Sequence, residues 1–271
     1  MTDVDDVDAD GRAALATAAA RAGAAAALDR FRSGVAVETK ATKNDLVTEA
    51  DRSAQRRVVE RLRSSVPDEP VVGEEGEGSK AVPETGPAWV VDPIDGTANY
   101  VRGLGIWTTS VAAVVDGAPV AAASVLPATG DDYTADGTES RHNAEPTGVS
   151  DRTDPETFAV SVLGWGPSAD RSAYADLAAT VIDRFGDVRR LGSMQAALAF
   201  VASGQLDAAI TTGRPHPWDS IAGAHLVDRA GGRVTDGEGR PWRHDSDVLV
   251  ASNGRAHGAV LDAAREARRS E

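Results

Sequence analysis

Ala88-Trp89-Val90-Val91-Asp92-Pro93-Ile94-Asp95-Gly96-Thr97 is the stretch whose reading decides this chain. Its first four residues are an apolar run of the kind that fills a buried strand. The strand brings two carboxylates, an exposed turn carbonyl and a hydroxyl to one strand-to-loop junction. Pro93 holds Asp92 extended, and Gly96 allows the backbone to approach a ligand closely. Asp92 and Asp95 are therefore expected to face one pocket, whose oxygen donors favour Mg2+, Mn2+ or Ca2+ over zinc or copper. Taken by itself, the hexapeptide 92–97 also reads as a surface turn, since Asp, Pro and Gly are ordinary turn residues.

Three further acidic segments extend the pattern. Val71-Val72-Gly73 reads as a short strand that carries Glu74 and Glu75 to a loop end, ahead of a Gly-rich, charged excursion from Gly76 to Gly86. Trp218-Asp219-Ser220-Ile221-Ala222-Gly223 opens a helix with apolar periodicity through Ala224, Leu226 and Val227. Asp219 lies at its start, where a plain N-cap is the other reading. In Asp45-Leu46-Val47-Thr48-Glu49-Ala50-Asp51, Thr48 and Asp51 have capping-box spacing for a helix that runs through Leu62.

These four segments, taken in order, resemble the inositol monophosphatase family of magnesium-dependent, lithium-sensitive phosphatases, which also includes fructose-1,6-bisphosphatases and nucleotide 3'-phosphatases. The resemblance covers most of the chain. It implies that Glu74, Asp92, the Ile94 carbonyl, Asp95 and Asp219 hold two or three Mg2+ ions, with Mn2+ as an alternative, and that Asp51 contributes as an outer or third-metal group. Glu74, Thr97 and Asp51 are the catalytic residues it implies, with Thr97, beside Glu74, orienting and activating the attacking water. The Gly96 and Thr97 amides resemble the family's phosphate cradle, in keeping with the pull of helix-start amides on anions. Lys40 aligns with a family lysine near the site, or is a solvated surface lysine. The family fold implies an α+β sandwich of alternating α-β-α-β-α layers, and its members are commonly homodimers.

A phosphate monoester is a dianion whose attack by water is extremely slow unaided. Paired divalent ions clamp it, acidify a water and stabilise the leaving alkoxide, and several carboxylates are needed to hold them. No covalent intermediate is required, which suits a chain without cysteine. The five histidines, His142, His216, His225, His244 and His257, share no metal-ligand spacing, although His216, three residues before Asp219, is placed to line a substrate pocket. Asp6-Val7-Asp8-Ala9-Asp10-Gly11 imitates the start of an EF-hand loop but has Thr17 where the twelfth-position Glu belongs, so an acidic disordered tail over 1–10 is expected. Gly103-Leu104-Gly105 is not a dinucleotide fingerprint, and there is no phosphate loop ending in Gly-Lys-Ser/Thr.

The chain has 271 residues and a net charge of -14, which argues against nucleic acid or an anionic membrane as partner. Three lysines stand against 25 arginines, and with the abundance of Asp and Glu this suggests a high-salt organism, high genomic GC content being the rival explanation for the arginines. With no signal peptide and no apolar run of about 18 residues, a cytoplasmic location is expected. Residues 11–271 are expected to form a single phosphatase domain of two lobes, about 11–157 and 158–271.

Helices are expected at 11–33, with Leu15, Ala19, Leu28 and Phe31 on or near the buried side, and from Thr48 to Ser65. Strands are expected at 71–73, 88–92, 108–115 and 119–125, the last two joined at Asp116-Gly117. Residues 127–156 read as loop. The later half alternates: strand 158–163, helix 169–185, strand 187–191, helix 193–203, strand 206–211, helix 218–230, strands near 233 and 248, helix 254–268.

The resemblance thins at the substrate end. The 127–156 segment lacks the family's usual glycine-rich pattern, and Thr212 stands where inositol-specific relatives carry a glutamate that contacts sugar hydroxyls. Arg190, with Arg189 and Arg214, is a candidate for a second phosphate. The expected substrate is a small phosphorylated polyol or sugar, inositol 1-phosphate or fructose 1,6-bisphosphate. A 3'(2'),5'-bisphosphate nucleotidase is the alternative, with Trp165 as its base-stacking aromatic, and a non-catalytic metal or phosphosugar-binding protein is a third reading.

Overall fold

The computed structural model describes residues 9–33, 37–39, 46–76, 78–164 and 170–269. Helix α1 (Ala9–Leu28) begins inside the stretch expected as an acidic tail and stops five residues before the expected end, giving way to turns. Its buried face is a stripe of small residues, Ala16, Ala20, Gly23, Ala24 and Ala27, with Leu15 and Ala19 buried as expected. Leu28, expected on that side, is 40% exposed, whereas its neighbour Ala27 is fully buried against Tyr100 and Trp107. A β-carbon at Gly23 would come within 2.6 Å of Val58 Cγ2, so the close approach of α1 to helix α2 (Glu49–Arg63) requires glycine there. The short hairpin of β1 (Val37–Thr39) and β2 (Leu46–Thr48) leads into α2.

These helices cover one face of a seven-stranded sheet: β3 (Val71–Gly73), β4 (Pro87–Asp95), β5 (Thr108–Val115), β6 (Ala118–Leu126), β7 (Asp131–Ala135), β8 (Ser140–His142) and β9 (Glu145–Pro146), hydrogen-bonded in that order. Only the β3–β4 pair is parallel. Asp116 and Gly117 join β5 to β6 with φ of 51° and 73°, the positive values that a two-residue hairpin turn needs. The last three strands lie in 127–156, which composition marked as loop. There the main chain of β7 pairs with β6 from Leu126↔Asp131 to Ala122↔Ala135, and the polar side chains that suggested a loop belong to a thinly apolar sheet end whose one large buried group is Tyr133, stacked on His142.

The second half builds β10 (Ala159–Leu163), α4 (Arg171–Arg184), β11 (Asp187–Arg189), α5 (Met194–Ala202), β12 (Ala208–Thr211), α6 (Pro217–Arg229), β13 (Arg233–Thr235), β14 (Val250–Ser252) and α7 (His257–Arg269). A short helix α3 (Thr97–Val101) follows β4. The second sheet has the order β11-β10-β12-β14-β13, with β10 parallel to both β11 and β12 and β14 antiparallel to β12 and β13.

Helices α5 and α6 lie between the sheets. Leu198, Ile221 and Leu226 pack against Val90, Ala112 and Val114 of the first sheet and against Ala209, Leu249 and Ala251 of the second. The alternation of β4 is visible in this partition: Val90 faces the central helices, whereas Trp89 and Val91 face Leu15, Val58 and Leu62 of the first layer. On the far face of the second sheet, Val160, Val162, Ile210 and Val250 pack under α4 and α7. The result is the five-layer α-β-α-β-α sandwich, an α+β fold. No helix among the described residues is long and apolar enough to cross a membrane.

Candidate metal centre

A strand with unbroken alternation would point residues 92 and 95 to opposite faces, because three positions is an odd step. The register of β4 against β5 prevents this. Asp92 pairs with Ser110 and Asp95 with Thr108, so β4 takes three steps where β5 takes two. That one-residue bulge turns Asp95 to the same face as Asp92, toward α5 and α6. Ile94 goes the other way, into a cluster with Ala27, Ala50, Ala54, Tyr100 and Trp107. The bulge is pinned by Thr109 Oγ1, which donates to the Pro93 carbonyl at 2.7 Å, and by the Ile94 amide, which donates to Asp92 Oδ1 at 3.0 Å.

Gly96 follows with φ of 98°, and a β-carbon there would lie 3.1 Å from Ser193 Cβ and 3.2 Å from the carbonyls of Gly192 and Ile106. The start of α3 is thus pressed against the start of α5. Asp95 takes advantage of that contact: its Oδ2 accepts from Ser193 Oγ at 2.5 Å and from the Gln195 amide at 2.6 Å. Asn99 braces the junction, its Nδ2 donating to the carbonyls of Ile106 and Leu191 at 2.7 Å each.

Asp219 comes from α6, which starts one residue earlier than expected. His216 is the N-cap, and Asp219 occupies the third helical position, from which its carboxylate accepts a hydrogen bond from the His216 main chain, so it supports the helix start without being the N-cap itself. Gln195 sets the helix against α5. Fully buried, it donates from Nε2 to the Trp218 carbonyl at 2.6 Å and accepts from the Gly223 amide at 2.7 Å. The two helices approach so closely that a β-carbon at Gly223 would lie 2.4 Å from Leu198 Cβ.

Carboxylate oxygens of Asp92, Asp95 and Asp219 lie within 4.8 Å of one another. Burial pushes the Asp92 carboxyl well above the ordinary carboxylate range, and the charge of Glu74, then those of Asp95, Asp219 and Asp51, push it further. Asp219 is raised well above that range by burial first, then by Asp95 and Glu74, with a hydrogen bond to Asp92 opposing. Asp95 is raised by burial against the pull of Ser193 and the α5 amides. Acids packed this tightly resist ionisation unless positive charge joins them. Three carboxylates and a nearby backbone carbonyl at Ile94 form an all-oxygen donor set that fits a hard divalent cation. Glu74 follows β3, its amide donating to the Val91 carbonyl at 3.2 Å, and its charge acts on Asp92 and Asp219. Gln55 of α2 brackets Glu75 next to it, donating to its carbonyl and accepting from its amide at 2.9 Å.

Asp51 and Thr97 are brought together beside the cluster. Thr97 Oγ1 lies 3.2 Å from Asp51 Oδ1 and 3.1 Å from the Ile94 carbonyl. The capping box orients Asp51 for this contact. Its Oδ2 accepts from the Thr48 amide at 2.8 Å and the Thr48 hydroxyl at 2.6 Å, leaving Oδ1 for Thr97. The capping box expected of Asp51 is therefore present, and the same carboxylate also reaches Thr97. Burial raises its carboxyl, with the Thr48 hydrogen bonds opposing.

The substrate end is less defined. Thr212 follows β12, half-buried, with its hydroxyl 2.9 Å from where a β-carbon of Gly164 would sit. Arg189 is exposed and paired with Asp187, Arg190 is exposed and hydrogen-bonds the Tyr174 hydroxyl, and Arg214 pairs with Asp247 at 3.1 Å. His216 is exposed and stacks on Trp218 with ring centroids 4.8 Å apart. Lys40 and Trp165 lie outside the described residues. Ser193, Gln195 and Asn99 were missed by the sequence reading. Only Ser193 carries a local signal, as the residue opening a helix after Leu191-Gly192.

A model of the inositol monophosphatase family matches residues 8–269. The chain is 34% identical over 235 residues to the fructose-1,6-bisphosphatase/inositol-1-monophosphatase of Thermotoga maritima, covering 85% of this chain and 86% of that one. It is 34% identical over 273 residues to an inositol-1-monophosphatase of Mycolicibacterium smegmatis, covering 97% and 96%. Among solved structures, a Thermotoga maritima inositol monophosphatase superposes with a TM-score of 0.86 at 30% identity, covering 96% of this chain and 98% of that one.

Proposed function

The chain belongs to the inositol monophosphatase family and is a phosphatase; from that premise we propose that it uses Mg2+ to hydrolyse the phosphate monoester of a small polyol or sugar, accepting both inositol 1-phosphate and fructose 1,6-bisphosphate. The observation that carries this reading is the convergence of Asp92, Asp95 and Asp219 beside the Asp51–Thr97 pair. Glu74, Asp92, the Ile94 carbonyl, Asp95 and Asp219 would hold the metal. When bound, it supplies positive charge that grips phosphate oxygens, acidifies water and stabilises the departing alkoxide.

The chain's own groups do the rest. Thr97 has one proton and two acceptors within reach, Asp51 Oδ1 and the Ile94 carbonyl. With the Ile94 carbonyl serving as a ligand, Asp51 is the acceptor left, and the lone pairs of Thr97 Oγ1 then face outward to receive a hydrogen from the attacking water. Burial raises the proton affinity of Asp51, which suits it to take the proton that Thr97 relays. The Gly96 and Thr97 amides, at the first turn of α3, are placed to hold the phosphate.

Substrate breadth is argued from Thr212 and Arg190. A threonine hydroxyl cannot offer neighbouring ring hydroxyls the charged, two-oxygen acceptor of a glutamate, so selectivity for inositol 1-phosphate is expected to be weak. Arg190, exposed at the end of β11, is the proposed contact for a second phosphate. One relative whose name joins fructose-1,6-bisphosphatase and inositol-1-monophosphatase supports this breadth. The protein is further proposed to be a homodimer from a high-salt cytoplasm, consistent with its charge of -14.

The test is phosphate release from a panel of esters in Mg2+ and in Mn2+. Thr97→Ala should lower kcat by about 100-fold or more with little change in KM; a change confined to KM would return Thr97 to a binding role. Thr212→Glu should shift kcat/KM toward inositol 1-phosphate, and Arg190→Ala should penalise only the bisphosphate. A parent enzyme that rejects fructose 1,6-bisphosphate refutes the permissive reading.

A further inference from the structure

Lys80 is one of three lysines on a chain whose ordinary cation is arginine, and it lies in the excursion between β3 and β4. Two anchors fix that excursion. Ser79 forms a parallel bridge with Val72, and Val82 inserts into the core between the sheets. Between them the Lys80 ammonium donates to the Gly73 carbonyl at 2.6 Å and to the Glu74 carbonyl at 2.8 Å. The same nitrogen stands 5.6 Å from the ring centroid of Trp218. Trp218 is the residue before Asp219, and its carbonyl is held by Gln195.

We propose that Lys80 is a positioning residue that ties the arm bearing Glu74 to the first turn of α6 bearing Asp219, and thereby sets the approach of these two carboxylates across the metal centre. Glu74 is the residue immediately after an edge strand three residues long, whose last pair with β4 is Gly73↔Val91. Asp219 rides on a helix of the next layer. Their backbones belong to different layers, and one ammonium reaches both: it bonds the main chain on one side and meets an aromatic face on the other, a contact that attracts cations. A compact ammonium with three donors suits two carbonyls on consecutive residues beneath a ring.

This inference rests on the metal site proposed above, so Mg2+ binding to the parent is measured first, by isothermal titration calorimetry and by the rise of Tm with Mg2+. A parent that binds no Mg2+ overturns the metal-site reading itself. Given a parent that binds, Lys80→Met should weaken Mg2+ about tenfold, in line with the loss of groups that orient ligands, while KM at saturating Mg2+ stays unchanged. Lys80→Arg, which keeps charge and donors in a larger planar group, should recover part of that loss.

The sign is decisive, because simple removal of a positive charge beside a cation site would tighten Mg2+. Unchanged or tighter Mg2+ binding in Lys80→Met overturns the tether. So does a raised KM at saturating Mg2+ with unaltered Mg2+ affinity, which would make Lys80 a substrate contact. Trp218→Leu probes the same link from the other end. The double variant Lys80→Met/Trp218→Leu should weaken Mg2+ no more than the stronger single variant, and additive losses would remove Trp218 from the path.

Discussion

Glu69 and Asp92 are both acids set against the first sheet, on its opposite faces, and they live in opposite ways. On the side of α1, Glu69 accepts both guanidinium nitrogens of Arg12, at 2.8 and 2.9 Å, and the Trp89 indole nitrogen at 2.6 Å. Its charge is answered by the fold. On the side of α6, Asp92 is 1% exposed, and the charges that act on it come from Glu74, Asp95, Asp219 and Asp51. A buried anion with a cation beside it needs nothing further, whereas four acids crowded around a fifth are stable as anions only when a cation is supplied from outside. The first arrangement is architecture and the second is a site.

That contrast can be broken most severely by neutralising one acid on the site face. Asp92→Asn or Asp219→Asn should reduce turnover by roughly 1,000-fold or more, because a ligand is lost and the amide does not balance cation charge. In metal-free buffer the same variants should melt no lower than the parent, since a repelling charge has gone. Near-normal Mg2+-dependent rates in both variants would end the assignment, and a lower metal-free Tm would show that the acids had been mutually satisfied after all.

The converse substitution belongs to the other face. Arg12→Met leaves Glu69 largely buried without its partner and should destabilise the protein by roughly 3 kcal/mol, while kcat of the folded fraction is unchanged. Denaturant unfolding and activity on the same preparation check both halves. A loss of turnover with intact stability would reverse the roles given to the two faces.

A smaller effect sharpens the contrast through pH. The folded-state affinities of Asp92, Asp95 and Asp219 for protons lie above those of unfolded carboxylates. Their contribution is therefore complete below about pH 4 and is lost as pH rises through the raised folded values, because the folded protein then has to ionise a crowded cluster. Other groups act in the reverse sense: Asp131, Asp136 and Asp236 are held low by hydrogen bonds that outweigh their burial, and His257 is held neutral down to about 4 by burial between Thr235 and Ser252. Those contributions are lost as pH falls. The cluster is isolated by comparison: the metal-free parent should lose stability relative to Asp219→Asn as pH rises from 4 toward neutrality. With Mg2+ the trend should invert, since the metal binds the deprotonated ligands. Parallel stability curves for the two proteins would contradict the crowding.

Salt is expected to have the weakest effect, and chiefly on the exposed surface. With a net charge of -14, the metal-free protein should gain a few degrees of Tm between about 0.1 and 2 M KCl as surface repulsion is screened. The deficit of the metal-free cluster relative to Asp219→Asn should change less, because buried charges are screened little. Equal melting temperatures at both salt concentrations would count against a high-salt adaptation.

Legibility followed the range of the interactions. Long apolar strands and periodic helices were placed within a few residues, as β5, β6 and α5 illustrate, because their signals lie within the segment itself. The strands β7 to β9 were read as loop because an antiparallel ladder at a sheet end is held by main-chain hydrogen bonds that side-chain polarity does not report. In the site, Asp92, Asp95, Glu74 and Asp219 were each marked by a strand end or a helix start. Gln195 was invisible. It bonds backbone groups of α6 from 23 and 28 residues away, and nothing around it in the sequence distinguishes it from a core-facing helical residue.

By itself the sequence determined the layered class, the acids and their oxygen chemistry, because strand runs, caps and the Asp-Pro-Ile-Asp-Gly-Thr turn are local and act on the few residues beside them. Only the tertiary structure decided which of those acids share a face. The bulge that brings Asp95 round to Asp92 exists because β5 imposes its own register, and Thr97 meets Asp51 because α2 is packed against the sheet with its capping box turned inward. Both outcomes depend on contacts between segments tens of residues apart, whose distances are fixed by packing and are not written in any one segment.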